Sequence, residues 1–167
     1  MICERINEAM PGAITDSHSF RGDKTIVVDP LRYLEVVRLI FDDGFQLMIG
    51  LTAVDWPERQ PRFDVVVHFQ NLVSQERLRI KVPIAEGQTI QSITGIHRSA
   101  DWFEREVFDM FGIFFEGHPG LKRLMMWQGF EGHPLRKDFQ MDGNDPWCKT
   151  GMGEPYAESA KSLADCP

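Results

Sequence analysis

The stretch from Arg77 to Val82 constrains the fold of this chain more tightly than any other. Leu78, Ile80 and Val82 alternate there with Arg77, Arg79 and Lys81. A period of two is what a strand shows when one face is wet and the other is covered. Such a strand needs neighbours to take up its backbone hydrogen bonds and a second layer to cover its apolar side. Phe63 to Phe69 offers one neighbour, with Phe63, Val65, Val67 and Phe69 as its inward set. Phe45 to Ala53 offers another, its odd positions Phe45, Leu47, Ile49, Leu51 and Ala53 forming a continuous apolar face. Ile14 to Phe20 and Lys24 to Val28 read as two further strands, joined by the turn signal Arg21-Gly22-Asp23.

Helices supply the cover. Ile2 to Met10 reads as a short one, stopped by Pro11 and Gly12. Asp29-Pro30 is a helix start, since Asp caps free amides and Pro suits the first helical position. Leu31, Leu34, Val37 and Phe41 then recur at helical spacing, and Gly44 ends the run. A third helix runs from a Ser99 cap to Phe111, with Gly112 as its stop. The order of elements predicts a two-layer α+β sandwich. Its sheet is mixed but mostly antiparallel, has about five strands, and is covered by helices on one face. Beyond Gly112 the periodicity fades and Gly, Pro and His crowd in. The expected organisation is a core over 1–112, a loop-rich docking segment over 113–139, and an extended or disordered tail over 140–167.

Composition excludes several classes. Of the 167 residues 43% are hydrophobic, enough for a real core, and the net charge of -7 argues against general nucleic-acid affinity. The best apolar stretch, Phe45 to Val54, is broken by Gln46 and Thr52, so no membrane span is expected. Glu4, Arg5 and Glu8 are unlike a signal or transit peptide. Cys3, Cys148 and Cys166 form no CxxC pair, which points to a reducing compartment and to no iron–sulfur cluster held by this chain.

Two features carry chemistry. Steps of about 100° along the third helix place Trp102, Phe103, Val107 and Met110 on one side, with Glu106 among them. Arg105 and Asp109 are spaced to pair on a more polar side. A carboxylate in an apolar face must be paired, hydrogen-bonded or protonated. It therefore reads either as a proton-handling group or as half of a structural ion pair with an Arg or His of the next loop. That loop contains an echo. Phe115-Glu116-Gly117-His118-Pro119 returns as Phe130-Glu131-Gly132-His133-Pro134, followed in turn by Lys122-Arg123 and Arg136-Lys137. Three readings stand side by side. A zinc site has only His118 and His133 to offer. An anion or RNA patch would use the four cations with Trp127 and Phe130. A docking loop would pair Arg123 or Arg136 with Glu104, Glu106 or Asp109. His18, His68 and His97 are isolated, and His68 falls on the outer face of its strand.

Glu104-Arg105-Glu106-Val107-Phe108-Asp109-Met110-Phe111-Gly112-Ile113 resembles the signature of the C subunit of proton-pumping NADH:quinone oxidoreductase, respiratory complex I. The resemblance continues through both Gly-His-Pro segments to Phe139. It extends upstream through Leu51-Thr52-Ala53-Val54-Asp55-Trp56-Pro57-Glu58-Arg59. Departures are small: Lys122 stands where the family usually has Arg, and Met126-Trp127-Gln128 replaces a segment that more often carries Asp-Tyr. The resemblance implies a peripheral-arm subunit, on the cytoplasmic face of the bacterial plasma membrane, that packs on the D subunit beside iron–sulfur subunits. It implies no cofactor, metal or catalytic residue in this chain; FMN, iron–sulfur clusters, NADH and quinone belong to neighbours. Glu104, Arg105, Glu106 and Asp109 would form a charge network with Arg123, Arg136 and Lys137, next to Asp138. His118 and His133 would shape the docking turns. The alternatives are the equivalent subunit of a membrane-bound hydrogenase or of a ferredoxin- or deazaflavin-linked dehydrogenase, and a free-standing anion- or RNA-binding module.

Overall fold

The computed structural model describes residues 2–127 and 129–139; the tail expected from Gln140 lies outside the described residues. The alternating strand is β5, Arg77–Ile84, and it sits at the centre of a five-stranded sheet. Its neighbours are β2, Asp23–Val28, which runs parallel to it, and β4, Phe63–Gln70, antiparallel. β1, Ile14–Phe20, and β3, Leu47–Asp55, close the two edges, both antiparallel to their partners. Cross-strand register builds the inner face: Ile26, Ile80, Val67 and Leu51 form one row, and Val82, Val65 and Ala53 another. Three helices cover this face: α1, Ile2–Ala9; α2, Tyr33–Asp42; and α3, Ala100–Phe111. The class is therefore α+β with a mixed, mostly antiparallel sheet, as the element order implies.

Two expected faces are shifted. Asp29 caps its helix as anticipated, accepting the Leu31 amide at 2.9 Å. However, Pro30–Arg32 form a tighter 3-10 turn, and the smaller number of residues per turn changes the phase of the helix after it. Leu31 is consequently 86% exposed, and the buried stripe of α2 is Tyr33, Val36, Val37 and Ile40. In β3 the pairing slips between Met48 and Gly50. One extra residue inverts the in–out alternation, so Met48 points inward before the bulge and Leu51, Ala53 and Asp55 after it. Leu47 and Ile49, expected inside, are 41% and 48% exposed.

The chain returns to the core after α3. β6, Ile90–Gln91, and β7, Phe115–Glu116, pair in parallel as a small second sheet, and Ile113 and Phe115 are buried.

Candidate functional site

The site grows from α3. Its buried face is Ala100, Glu104, Val107 and Phe111 rather than the face centred on Trp102, which is 62% exposed; Glu106 is only half-buried. The carboxylate built into the core is thus Glu104, not the expected Glu106 two residues along. The apolar side chains misled because the loop after α3 covers a second flank of the helix, so its burial is not set by the sheet alone. Glu104 Oε1 accepts the Ile93 amide at 2.8 Å, while Oε2 is buried without a hydrogen-bond partner. Burial pushes its carboxyl up to about 7, although the Ser92 hydroxyl and the Ile93 amide favour the charged form. The Tyr33 hydroxyl and His97 Nε2 are also buried without a partner. Ser99 makes no side-chain cap bond, because its backbone is already helical.

Asp109 lies on the flank that the loop covers, and it is fully buried. Its Oδ2 accepts three consecutive amides, from Leu124, Met125 and Met126 at 3.0, 2.7 and 2.9 Å. Its Oδ1 pairs with Arg123 at 2.8 Å. Burial opposes the charge, but those amides and the guanidinium outweigh it and hold the carboxyl below its usual range. Arg123 also donates to the Gly132 carbonyl at 3.1 Å, so it ties α3 to the second Gly-His-Pro segment. Arg105 does not pair with Asp109, as its spacing suggested. It donates instead to the carbonyls of Lys122 and Arg123.

The two Gly-His-Pro turns grip opposite ends of the helix. His118 Nδ1 accepts the Gly120 amide at 3.0 Å, which leaves Nε2 to donate to the Asp101 carbonyl at 3.2 Å. His133 takes the other tautomer, its Nδ1 donating to the Asp109 carbonyl at 2.9 Å. The Leu135 amide then donates to Met110 O at 3.1 Å and Arg136 Nε to Phe111 O at 2.6 Å. Three terminal carbonyls that no helix can satisfy internally are thereby capped by one loop. Gly112 makes the approach feasible: its φ is 76°, and a Cβ there would fall 2.5 Å from His133 Nε2.

A second cluster locks the loop to the sheet. Arg62 binds Asp55 bidentately at 2.7 and 2.9 Å, Glu86 at 3.0 Å and Asp138 at 2.9 Å. Arg136 reaches Glu86 at 2.7 Å, and the Lys137 amide donates to Asp55 Oδ2 at 2.8 Å. Hydrogen bonds from Arg62 hold Asp55 and Asp138 below the usual carboxylate range, and Asp55 in turn raises Arg62.

The expected residues therefore divide. Asp109, Arg105, Arg123, His118, His133 and Arg136 converge on α3, whereas Glu104 points away from the loop into the core. Glu106 and the Lys137 side chain join no ion pair among the described residues, and Asp138 belongs to the Arg62 cluster. The two imidazoles are bound to helix carbonyls eight residues apart, about 12 Å at helical rise, so they do not share a metal. Among the described residues no group of three His, Cys, Asp or Glu side chains is placed to hold one. Nor do the four cations make one patch, since Arg123 and Arg136 are spent on internal partners. Sequence reasoning missed Asp55, Arg62 and Glu86. The signal was there for Asp55, which shares the parity of Leu51 and Ala53 and so had to be inward and partnered.

Residues 26–145 match the family described as respiratory-chain NADH dehydrogenase, 30 kDa subunit. The chain is similar to the C subunit of NADH-quinone oxidoreductase from Rhodobacter capsulatus, 43% identical over 145 residues that cover 85% of this chain and 73% of the relative. The corresponding subunit of Caulobacter vibrioides is 48% identical over 136 residues, covering 80% of this chain and 68% of that protein. Among solved structures, a trypsin-resistant fragment of Nqo5 superposes with a TM-score of 0.64 at 28% identity, over 72% of this chain and all of the fragment. A chain of the membrane-bound sulfane sulfur reductase, an archaeal respiratory membrane complex, reaches a TM-score of 0.70 at 28% identity, over 84% of each chain.

Proposed function

Because this chain belongs to the family of the 30 kDa subunit of respiratory-chain NADH dehydrogenase, we propose that it works as a non-catalytic scaffold in the peripheral arm of NADH–quinone oxidoreductase. It is a subunit of that hetero-oligomeric complex. No helix of the described residues is long and apolar enough to cross a membrane, consistent with peripheral association. One observation carries the scaffold reading: the charged groups of the site are consumed by one another. Asp109 accepts three amides and a guanidinium, Asp55 accepts Arg62 and the Lys137 amide, and Arg136 spans Phe111 O and Glu86. Groups held this way are rigid, and they present ordered backbone rather than a reactive atom.

The immediate partner is the D subunit, and the docking end is the loop locked onto α3. Phe114, Met125, Trp127 and Leu135 of this loop are exposed, as is Trp102 of α3, and aromatic and Met side chains on a rigid support make interface anchors. FMN, the iron–sulfur clusters, NADH and quinone would be bound by neighbouring subunits, with this chain on the cytoplasmic side. A second reading rests on the likeness to the sulfane sulfur reductase chain: the same scaffold in a membrane-bound respiratory complex of different donor or acceptor. Affinity purification from native membranes in mild detergent, with mass spectrometry, separates them. A D-type subunit recovered with flavin- and NADH-binding subunits supports complex I. A hydrogenase-like subunit without the NADH module supports the second reading. Recovery of the chain alone refutes both.

A further inference from the structure

The inner face of the sheet is covered by three helices, whereas no helix of the described residues lies on the outer face of β5, where Arg77 is exposed and Arg79 and Lys81 are half-buried. That face carries Arg77, Arg79 and Lys81 at alternate positions of the central strand. Their cross-strand neighbours on β4 are Gln70, His68 and Val66, and beyond these on β3 lie Leu47, Gly50 and Thr52. On that side the outward carboxylate is Asp64 of β4, opposite Pro83 and so diagonal to Lys81, and it is already taken by Arg59 and the Trp56 indole. On the other side Arg79 donates to Thr25 Oγ1 at 3.2 Å, and Lys81 lies opposite Val27. Asp16 on β1 and Asp23 on β2 border the patch, yet neither forms an ion pair with the three cations among the described residues. This is unexpected in a chain with 25 acidic against 18 basic residues. Side chains two apart on a strand are separated by about 7 Å, so the three cations repel until an opposing acid arrives. His68, directly opposite Arg79, is held below its usual range first by burial and then by that guanidinium.

The patch also has shape and a rim. A groove of about 690 Å³ is lined by Asp23, Leu47, Ile49, His68, Arg77 and Arg79, and Lys81 continues the row of cations along β5 just beyond it. Leu47, Ile49 and Val54 stand exposed along the edge strand. We propose that the outer face of β3–β5, with Arg77, Arg79 and Lys81 at its centre, is a second docking surface that receives an acidic segment of a neighbouring protein subunit. The basic centre takes the carboxylates and the β3 rim takes apolar side chains between them. Two strand spacings, about 10 Å, suit one helix or one extended segment; a bilayer would demand a broader face, and Asp16 and Asp23 end this one. The inference rests on the subunit reading above, because it requires a neighbour.

Carbodiimide, which joins a lysine to a carboxylate in contact, tests it in the intact complex. Lys81 should be joined to an Asp or Glu of another subunit. Independently, the full chain carrying Arg77→Glu, Arg79→Glu and Lys81→Glu should recover its partners at least tenfold less well than wild type. Arg77→Lys with Arg79→Lys should recover them normally. Circular dichroism of the purified variants shows that each is folded, and the carbodiimide result needs no variant. The proposal is overturned if Lys81 joins only carboxylates of its own chain or none, or if the folded triple reversal recovers partners at the wild-type level. Binding of the purified chain to anionic phospholipid vesicles, with Lys81 unjoined in the complex, overturns it in favour of a membrane surface. A wild-type chain that recovers no partner at all sinks the subunit reading, and this surface with it.

Discussion

Replacing Glu104 with Gln should stabilise this protein at alkaline pH and leave it nearly unchanged in acid. Gln keeps an oxygen for the Ile93 amide and cannot ionise. In the folded chain burial pushes Glu104 from 4.5 to about 7. Between those values the unfolded chain has already released the proton and the folded chain has not, so stability falls as pH rises. The contribution is fully present below pH 4.5 and lost once pH passes about 7. At about 1.4 kcal/mol per pH unit, the advantage of Gln over Glu should grow by about 2–3 kcal/mol between pH 5 and pH 8. At about 2–4 °C per kcal/mol for a chain of this length, that is a gap of about 5–10 °C in Tm at pH 8. Urea unfolding of both full-length proteins at several pH values gives the difference directly. Titrations shared by the two, such as those of His68 and His133, cancel in it. Glu106→Gln is the control, expected within about 0.5 kcal/mol of wild type throughout because its side chain is half-exposed. A difference that stays flat from pH 5 to pH 8, or a pH dependence carried by Glu106 instead, would refute the reasoning.

Three further expectations concern the lock around α3. Asp109→Asn should cost about 3–5 kcal/mol, since it leaves Arg123 and the 124–126 amides without their carboxylate. Hydrogen exchange at Leu124 to Met126 should accelerate well before the sheet amides do. Gly112→Ala should cost about 1–2 kcal/mol in backbone strain and dislodge His133, whose ring-nitrogen NMR shifts would lose the Nδ1–H signature. Because Asp55, Asp109 and Asp138 are all held below 3.8, their contribution is intact above that pH and disappears as pH falls through their folded values. Acid titration should therefore release the loop first, read as loss of hydrogen-exchange protection at the Leu124, Met125 and Met126 amides before the sheet amides lose theirs.

How much of this was legible beforehand varies by residue. Leu78, Ile80 and Val82 announced their strand and its covered face without help. Asp29-Pro30 announced its helix start, and Gly112 its helix stop with φ at 76°. The signature around Glu104 and the two Gly-His-Pro turns were visible as a family resemblance, and the turns themselves as local chemistry. The side of α3 that would be buried was not legible. It depends on a downstream loop, reaching from Arg123 to Arg136, folding back over the Asp109 flank, and helical periodicity carries no information about such a return.

Local chemistry is settled between near neighbours, so the sequence by itself determined the alternation of β5, the helix boundaries, the turns and the class of fold. Tertiary structure alone decided which acid is buried unpaired and which is saturated. It also decided that the bulge after Met48 turns Ile49 outward, and that Arg62 joins Asp55, Glu86 and Asp138 into one cluster. Those outcomes are competitions between groups far apart in the chain, each seeking a partner or water. Only the closed fold determines which of them meet.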